Sequence, residues 1–172
     1  LEDREVTISR AKFTVNYPAS FMLVASMNPS PSGYFIDDPN NTSSLSEMQR
    51  YMNKISGPLL DRIDLHIEVN PVPFDDLSQE RKGEKSNVIR DRVMKARNLQ
   101  TTRFSNSNVH YNSQMGPKEL DAFCELDDAS KNLIKIVMER LNLSARAYDR
   151  IIRVGRTIAD LDNSEKILPK HI

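Results

Sequence analysis

The chain has 172 residues, with 24 Lys and Arg residues and 24 Asp and Glu residues, so its formal net charge is zero. This length suits one medium domain or two small lobes. The balanced charge excludes a protein that binds nucleic acid through bulk positive charge. The only cysteine, Cys124, excludes an internal disulfide framework and indicates a reducing compartment such as the cytoplasm. No apolar run approaches the roughly 18 residues of a membrane span, so we expect no membrane contact.

The five glycines exclude two nucleotide-binding motifs from these residues. They stand at positions 33, 57, 83, 116 and 155. A P-loop and a dinucleotide-binding loop both need closely spaced glycines, and this spacing contains neither. The three histidines lie far from one another and from Cys124, so the spacing of metal ligands is absent as well. No Ser or Cys stands in a nucleophile motif. These residues alone therefore predict no self-sufficient enzyme.

Two alternating segments near the start of the chain predict a β-hairpin. They are Glu5–Arg10 and Lys12–Tyr17, which places Arg10 and Lys12 near the tip. The pattern alone favours a solvated hairpin whose charges discourage edge-to-edge pairing. The continuous apolar run Phe21–Met27 is typical of a strand buried on both faces of a parallel sheet.

The end of this apolar run draws attention to Asn28. Pro29 cannot continue a central strand, so Asn28 is expected at the strand's carboxyl end. In open α/β sheets, ligands bind at that edge. An asparagine before a proline also commonly caps a turn, and the sequence leaves both interpretations open.

The middle of the chain predicts a loop, a helix and a short strand. Residues 29–46 are rich in Pro, Asn, Asp and Ser, and Ser44 or Ser46 can cap a following helix that Gly57-Pro58 ends. Arg62 lies between this breaker and Leu65–Val69, whose strict alternation predicts a strand. The prolines and charges of residues 71–86 predict a solvated linker between two lobes.

All segments beyond the linker predict helices. We expect one from Ser86 to about Phe104, one from Pro117 to Phe123, one capped by Asp127 or Asp128, one capped by Ser144, and one that begins at Asn163 or Ser164. An apolar stripe predicts the core face of the fourth helix. Its members are Ala147, Ile151, Val154, Ile158 and Leu161.

Arg146 lies in the first turn of this fourth helix. A cation there opposes the helix macrodipole, which suggests a nearby anion. An arginine after a turn, such as Arg62, is usually only a surface ion pair. Neither residue identifies a function alone.

Three segments together give a specific resemblance. They read Val-Ala-Ser-Met-Asn-Pro at 24–29, Gly-Pro-Leu-Leu-Asp-Arg-Ile-Asp-Leu at 57–65, and Ser-Ala-Arg-Ala-Tyr-Asp-Arg-Ile-Ile-Arg-Val-Gly-Arg-Thr-Ile-Ala-Asp-Leu at 144–161. In this order they resemble the magnesium-chelatase-like AAA+ ATPases, most closely those of the ComM/YifB type, and the similarity covers essentially the whole chain. The chain begins at Leu1 and lacks the Walker motifs, so we expect a segment of a longer protein.

The resemblance implies a role for each singled-out residue. Asn28 matches the sensor 1 position, Arg62 the arginine finger that reaches a neighbouring subunit's ATP, and Arg146 the sensor 2 arginine that touches the nucleotide phosphates. The hairpin matches the pre-sensor 1 hairpin, so Arg10 and Lys12 would face nucleic-acid phosphates in a central pore. Relatives often carry cysteines in the loop after sensor 1, where this chain has Ser30 and Ser32. We therefore expect no zinc there.

The implied fold is an α+β segment of an α/β AAA+ module. Residues 1–70 would form the second half of the ATPase core, with strands from a parallel sheet, and residues 87–172 an all-α lid. The resemblance implies a cytoplasmic, hexameric DNA motor that uses ATP and Mg²⁺ during natural transformation, while the segment alone would bind neither tightly. Two alternatives remain open: a magnesium chelatase ATPase subunit, and a non-enzymatic interaction domain.

Overall fold

A computed structural model describes residues 4–35, 38–60, 62–70, 72 and 83–172. The chain divides into two compact units, residues 1–63 and residues 64–172. Most of the linker expected at residues 71–86 lies outside the described residues.

The predicted hairpin is present in the N-terminal unit. Strand β1 (Glu5–Arg10) pairs antiparallel with β2 (Phe13–Pro18) through a two-residue turn. One face carries Thr and Ser side chains that bond across the strands, including Thr7 Oγ1 to Asn16 Oδ1 at 2.8 Å. The other face is apolar because Val6 lies opposite Tyr17 and Ile8 opposite Val15.

The two further strands predicted from the sequence are absent. Residues 21–27 and 65–69 have no regular secondary structure, and large apolar side chains in both segments are exposed, such as Met22 at 87% and Ile67 at 81%. A parallel strand obtains its hydrogen bonds from strands distant in sequence. The described part of the chain holds no strand besides the hairpin pair, and its one parallel pairing is an isolated bridge between Leu126 and Ile167. The prediction of strands from a parallel sheet is therefore not met here.

The helix predicted after the loop begins as expected. Helix α1 (Leu45–Met52) has Ser44 as its N-cap, with the Ser44 side chain accepting from the Glu47 backbone N–H and the Glu47 carboxylate accepting from the Ser44 backbone N–H. This reciprocal capping box satisfies two N–H donors that the helix itself leaves unpaired. Helix α1 ends at Met52, before the Gly57-Pro58 pair predicted to end it. Residues Gly57–Leu60 form a short additional helix, α2, so this pair begins a helical turn instead.

The C-terminal unit is helical, as predicted. Its helices are α3 (Ser86–Arg103), α4 (Pro117–Phe123), α5 (Asp128–Leu141) and α6 (Ala145–Leu161), and short 3₁₀ turns cover Asn112–Gln114 and Pro169–His171.

The predicted caps of these helices are largely correct. Asp127 caps α5 and Ser144 caps α6, each accepting from a backbone N–H three residues on. Ser86 is instead the first helical residue, with Lys85 before it. The predicted last helix is wrong: Asn163 adopts a left-handed conformation with φ 54°, and Ile167 is buried in the core instead.

The buried face of α6 also differs from the predicted stripe. Ile152, Gly155, Arg156 and Ala159 are buried, whereas Ile158 is 41% exposed. Gly155 allows the end of the chain to approach the helix, since an added Cβ would lie 3.3 Å from the His171 carbonyl oxygen. The apolar pattern did not show this because two of the buried residues of α6 are charged.

Candidate functional site

The two basic residues of the hairpin lie at its tip. Arg10 ends β1 and Lys12 is in the turn, and both side chains are exposed. Arg10 lies opposite Phe13, so its side chain shares the apolar face of the hairpin rather than the polar face. The tip therefore combines a guanidinium and an ammonium with an exposed aromatic ring, a combination that suits nucleic-acid contact.

Asn28 lies in an exposed loop, not at the end of a strand. Its backbone carbonyl accepts a hydrogen bond from the Tyr51 hydroxyl at 3.0 Å, which ties this loop to α1. Further along, the Ser30 and Ser32 hydroxyls lie 2.9 Å apart, and Ser32 Oγ donates to Asn41 Oδ1. These hydroxyls hydrogen-bond within the loop, and the Asn28 side chain lies on its surface.

Arg62 follows α2 and folds back onto it. Its Nη1 donates to the Pro58 carbonyl oxygen at 2.6 Å, and the side chain is half-buried. The carbonyls at a helix end lack partners within the helix, so this bond both satisfies one of them and orients the guanidinium. Asn28 and Arg62 belong to the N-terminal unit.

Arg146 occupies the second position of α6, in the C-terminal unit, and is exposed. The first turn of α6 contains no acidic residue. Among the described residues, Arg146 has no carboxylate partner. Its charge opposes the macrodipole, at a cost of about 0.3–1 kcal/mol, and its exposure leaves it accessible to an anion.

The structure shows a buried polar network that the sequence pattern did not reveal. At its centre, the Asp160 carboxylate is buried and receives hydrogen bonds from both terminal nitrogens of Arg103, from Asn112 Nδ2 at 2.8 Å and from Arg156 Nε at 3.1 Å. Arg156 also donates to the carbonyl oxygens of Ser164 and Glu165. The network thus fastens the chain after α6 to both α6 and α3.

The charge state of Asp160 follows from these contacts. Burial raises the pKa of the Asp160 carboxyl, but hydrogen bonds from Arg103 and Asn112, together with the nearby guanidinium charges, lower it further than burial raises it. The net effect is a pKa below the ordinary value, so the group is an anion at neutral pH. Arg156 and Asp160 are four residues apart in the motif, and this spacing is the one sequence signal that could have identified the pair.

Cys124 is buried in the core of the C-terminal unit. Burial raises the pKa of its thiol to about 11, so the thiol stays protonated and unreactive at neutral pH. No group of three or more His, Cys, Asp or Glu in the described residues could hold a metal ion. Across the same residues, no helix combines the length and apolar character needed to cross a membrane.

Comparison with known proteins covers nearly the entire chain. Residues 83–172 match the family model described as magnesium chelatase, subunit ChlI C-terminal, and residues 1–77 match that of magnesium chelatase, subunit ChlI. The two matches meet near the linker predicted from the sequence.

Curated relatives agree with this match. The chain is 42% identical to competence protein ComM of Haemophilus influenzae, 37% identical to the uncharacterized protein YifB of Escherichia coli, and 34% identical to YifB of Salmonella typhimurium. Each similarity covers 100% of this chain and 33% of the relative, so the chain spans about a third of their length. The chain therefore belongs to the magnesium chelatase ChlI family, among its ComM/YifB-like members.

Proposed function

We propose that this chain is the second half of an AAA+ ATPase core together with its helical lid, from an ATP-driven hexameric motor that processes DNA during natural transformation. The observation that carries the proposal is the 42% identity, over the whole chain, to a protein named for competence. Since the chain spans a third of that relative, the activity is proposed for the longer protein. The 172 residues contain no P-loop.

Arg62 is proposed as the arginine finger. Phosphoryl transfer places negative charge on the transferred oxygens, and a guanidinium inserted from a neighbouring subunit stabilises it, with rate effects of about 10³-fold or more. The planar fork of arginine meets two oxygens at once, which an ammonium cannot do. The contact with the Pro58 carbonyl supports this role because it fixes the orientation of the side chain at the end of α2.

Arg146 and Asn28 are proposed as nucleotide-facing residues. The exposed guanidinium of Arg146 fits an anion such as an ATP phosphate, since its own turn offers no carboxylate. The exposed side-chain amide of Asn28 can orient a water molecule, or its NH₂ group can donate a hydrogen bond to a phosphate oxygen. ATP supplies the energy-rich phosphoanhydride when bound. The described residues offer no cluster of carboxylates for Mg²⁺, so we assign no magnesium ligand to them.

A magnesium chelatase ATPase subunit is the second candidate. The descriptions of the two matching family models favour it. It shares the proposed ATPase parts and differs in its partner, which would be a chelatase subunit instead of DNA. An isolated interaction domain is the third interpretation, and measurable ATP-dependent turnover by the longer protein would exclude it.

ATP hydrolysis by the longer protein separates the first two candidates. We expect single-stranded or forked DNA to stimulate hydrolysis, because a motor couples turnover to its track. Unchanged turnover with both DNA forms would contradict the DNA-motor proposal.

The isolated 172-residue chain should bind ATP only weakly, because it lacks the backbone amides and Lys of a P-loop. Micromolar affinity by calorimetry would show another phosphate site.

The arginine finger is tested by Arg62→Ala in the longer protein, with Arg50→Ala on α1 as a charge-matched control. Arg62→Ala should lower turnover by about 10³-fold or more while ATP affinity survives, because the guanidinium acts on the transition state. Mixing this variant with a subunit that lacks the P-loop Lys should restore part of the activity. Full activity of Arg62→Ala would contradict the arginine-finger assignment.

A further inference from the structure

The C-terminal unit carries an unevenly charged helix. Helix α3 has five basic side chains and one acidic side chain, in a chain whose net charge is zero. Arg92 pairs with Glu84 and Arg103 with Asp160. In the described residues, the remaining three basic side chains have no carboxylate partner. They are Arg90, Lys95 and Arg97.

Arg97 is held in place by an aromatic ring. Its guanidinium carbon lies 4.0 Å from the centroid of the Tyr111 ring, and the His110 ring packs against Tyr111 at 6.3 Å. A cation over an aromatic face is attracted by the ring quadrupole. The Arg97 carbonyl oxygen accepts from the Thr101 hydroxyl, but the Arg97 guanidinium makes no hydrogen bond to any described residue, so its N–H donors remain available to an external acceptor.

A cavity of about 310 Å³ opens beside this pair, at the lower end of the 300–1,000 Å³ range of small-molecule sites. The cavity is lined by the Arg97 guanidinium and the Tyr111 ring, by hydroxyl side chains and by the buried Phe104. Besides Phe104, its lining residues are Arg97, Thr101, Ser105, Ser107, His110 and Tyr111. Arg90 extends the charge along the same helix face, because residues seven apart lie two turns from each other.

The loop that supplies Tyr111 is rigidly attached. Its neighbour Asn112 is buried, accepts from Arg103, donates its backbone N–H to Gln100 Oε1 at 3.1 Å, and donates to Asp160. His110 N–H donates to Gln114 Oε1 at 2.8 Å. Tyr111 is therefore positioned by the buried network, while the residue stays 39% exposed. An exposed aromatic side chain that is rigidly held loses little entropy when a ligand stacks on it.

We propose that the surface formed by Arg90, Arg97, His110 and Tyr111, with its adjacent cavity, binds single-stranded nucleic acid. Arg90 and Arg97, which have no carboxylate partner among the described residues, attract phosphates. A base of a single strand can stack on the fixed Tyr111 ring or on a guanidinium plane, whatever the sequence of the strand. The choice of DNA as the partner rests on the function proposed above. This surface belongs to the C-terminal unit and the hairpin to the N-terminal unit, so separate variants test the two sites.

The test measures binding of fluorescein-labelled oligo(dT) to the 172-residue chain by anisotropy. Tyr111→Ala should weaken binding roughly 5- to 100-fold, and Tyr111→Phe should retain it, because the ring provides the stacking surface. Arg97→Ala should lower the salt slope by about 0.7, the contribution of one phosphate contact on a single strand. Arg140→Ala, an exposed arginine on α5, removes the same charge elsewhere and should change affinity less than about twofold.

Several outcomes would overturn this inference. Wild-type affinity in both Arg97→Ala and Tyr111→Ala, with unchanged circular dichroism, would show that the surface does not bind the strand. Displacement of oligo(dT) by inorganic phosphate at matched ionic strength would indicate a simple anion site instead. Equal affinity for a duplex would contradict base stacking.

The proposed function fails by a different measurement. If the longer protein hydrolyses ATP without stimulation by DNA, the motor proposal fails even when the isolated chain binds oligo(dT) through Tyr111. If DNA stimulates hydrolysis but the isolated chain does not bind oligo(dT), the motor proposal stands and the lid surface is refuted. Cross-linking of oligo(5-bromodeoxyuridine) to Tyr111, located by mass spectrometry, would support the surface directly, whereas cross-links only elsewhere would refute it.

Discussion

Removing the charge of Asp160 should destabilise the C-terminal unit strongly. Asp160→Asn keeps the size of the side chain but leaves Arg103 and the buried Arg156 without their shared anion. Breaking a buried ion pair by removing one partner costs about 3–5 kcal/mol. The side-chain amide nitrogen of asparagine would also point its N–H donors at a guanidinium, so no hydrogen bond replaces the lost one.

The control uses the same helix and the same substitution. Asp149 lies 3.9 Å from Arg153 in a partly exposed pair four residues apart on α6, and such pairs contribute about 0.3–0.5 kcal/mol. Urea unfolding followed by circular dichroism should therefore give a free energy of unfolding reduced by about 3–5 kcal/mol for Asp160→Asn and hardly changed for Asp149→Asn. For a unit of this size, the larger loss corresponds to a thermal midpoint lower by roughly 12 °C or more.

Acidification provides an independent check on the same carboxylate. The pKa of Asp160 is lower in the folded chain than in the unfolded chain, so its contribution is fully present above the unfolded pKa of about 3.9 and is lost as the pH falls through the lower folded pKa. The difference between wild type and Asp160→Asn should stay constant from about pH 7 to pH 5 and shrink below about pH 4. A difference under 1 kcal/mol at pH 7, or one that grows on acidification, would refute this account of the network.

Three further outcomes are expected. Gly155→Val should cost about 1–3 kcal/mol in urea unfolding, because its side chain would meet the end of the chain, whereas Gly83→Val has open space around it and should cost less. Replacing Arg10 and Lys12 together by Ala should weaken the salt dependence of DNA binding by the longer protein, by the equivalent of roughly one or two phosphate contacts. ATP hydrolysis without DNA should not change. An unchanged salt dependence would indicate that the hairpin has only a structural role. Arg146→Ala should leave the isolated chain equally stable or about 0.3–1 kcal/mol more stable, and yet weaken ATP binding in the longer protein; a clear loss of stability would indicate a structural role instead.

Local contacts explain which parts of the fold could be predicted. Ser44, Asp127 and Ser144 cap their helices through backbone groups only three residues away, so the sequence contains the whole interaction. The hairpin also depends on adjacent segments. By contrast, Phe21–Met27 has the composition of a central strand but no described neighbour to pair with, and composition cannot supply hydrogen bonds that come from distant strands.

Sequence patterns could not predict the polar contacts between residues that are distant in the sequence. Arg103 and Asp160 are 57 residues apart and Asn112 and Asp160 are 48 apart. Helical periodicity assigns polar residues to the solvent side, so it placed the core face of α6 on the wrong stripe. Arg62 and Arg146 were identified through the family resemblance, which draws on segments far apart in the sequence.

Two arginines of α6 have different roles: Arg156 stabilises the fold, and Arg146 is proposed to contact a ligand. Arg156 is buried, and each of its three side-chain nitrogens donates to Asp160 or to a backbone carbonyl. Arg146 lies exposed, and its position against the macrodipole makes it unfavourable for the helix itself. The network around Arg156 stabilises the second half of the helix by more than Arg146 costs, so the helix tolerates Arg146. The same network holds Asn112 beside Tyr111, so one buried carboxylate supports both the proposed nucleotide contact and the proposed strand-binding surface without touching either ligand.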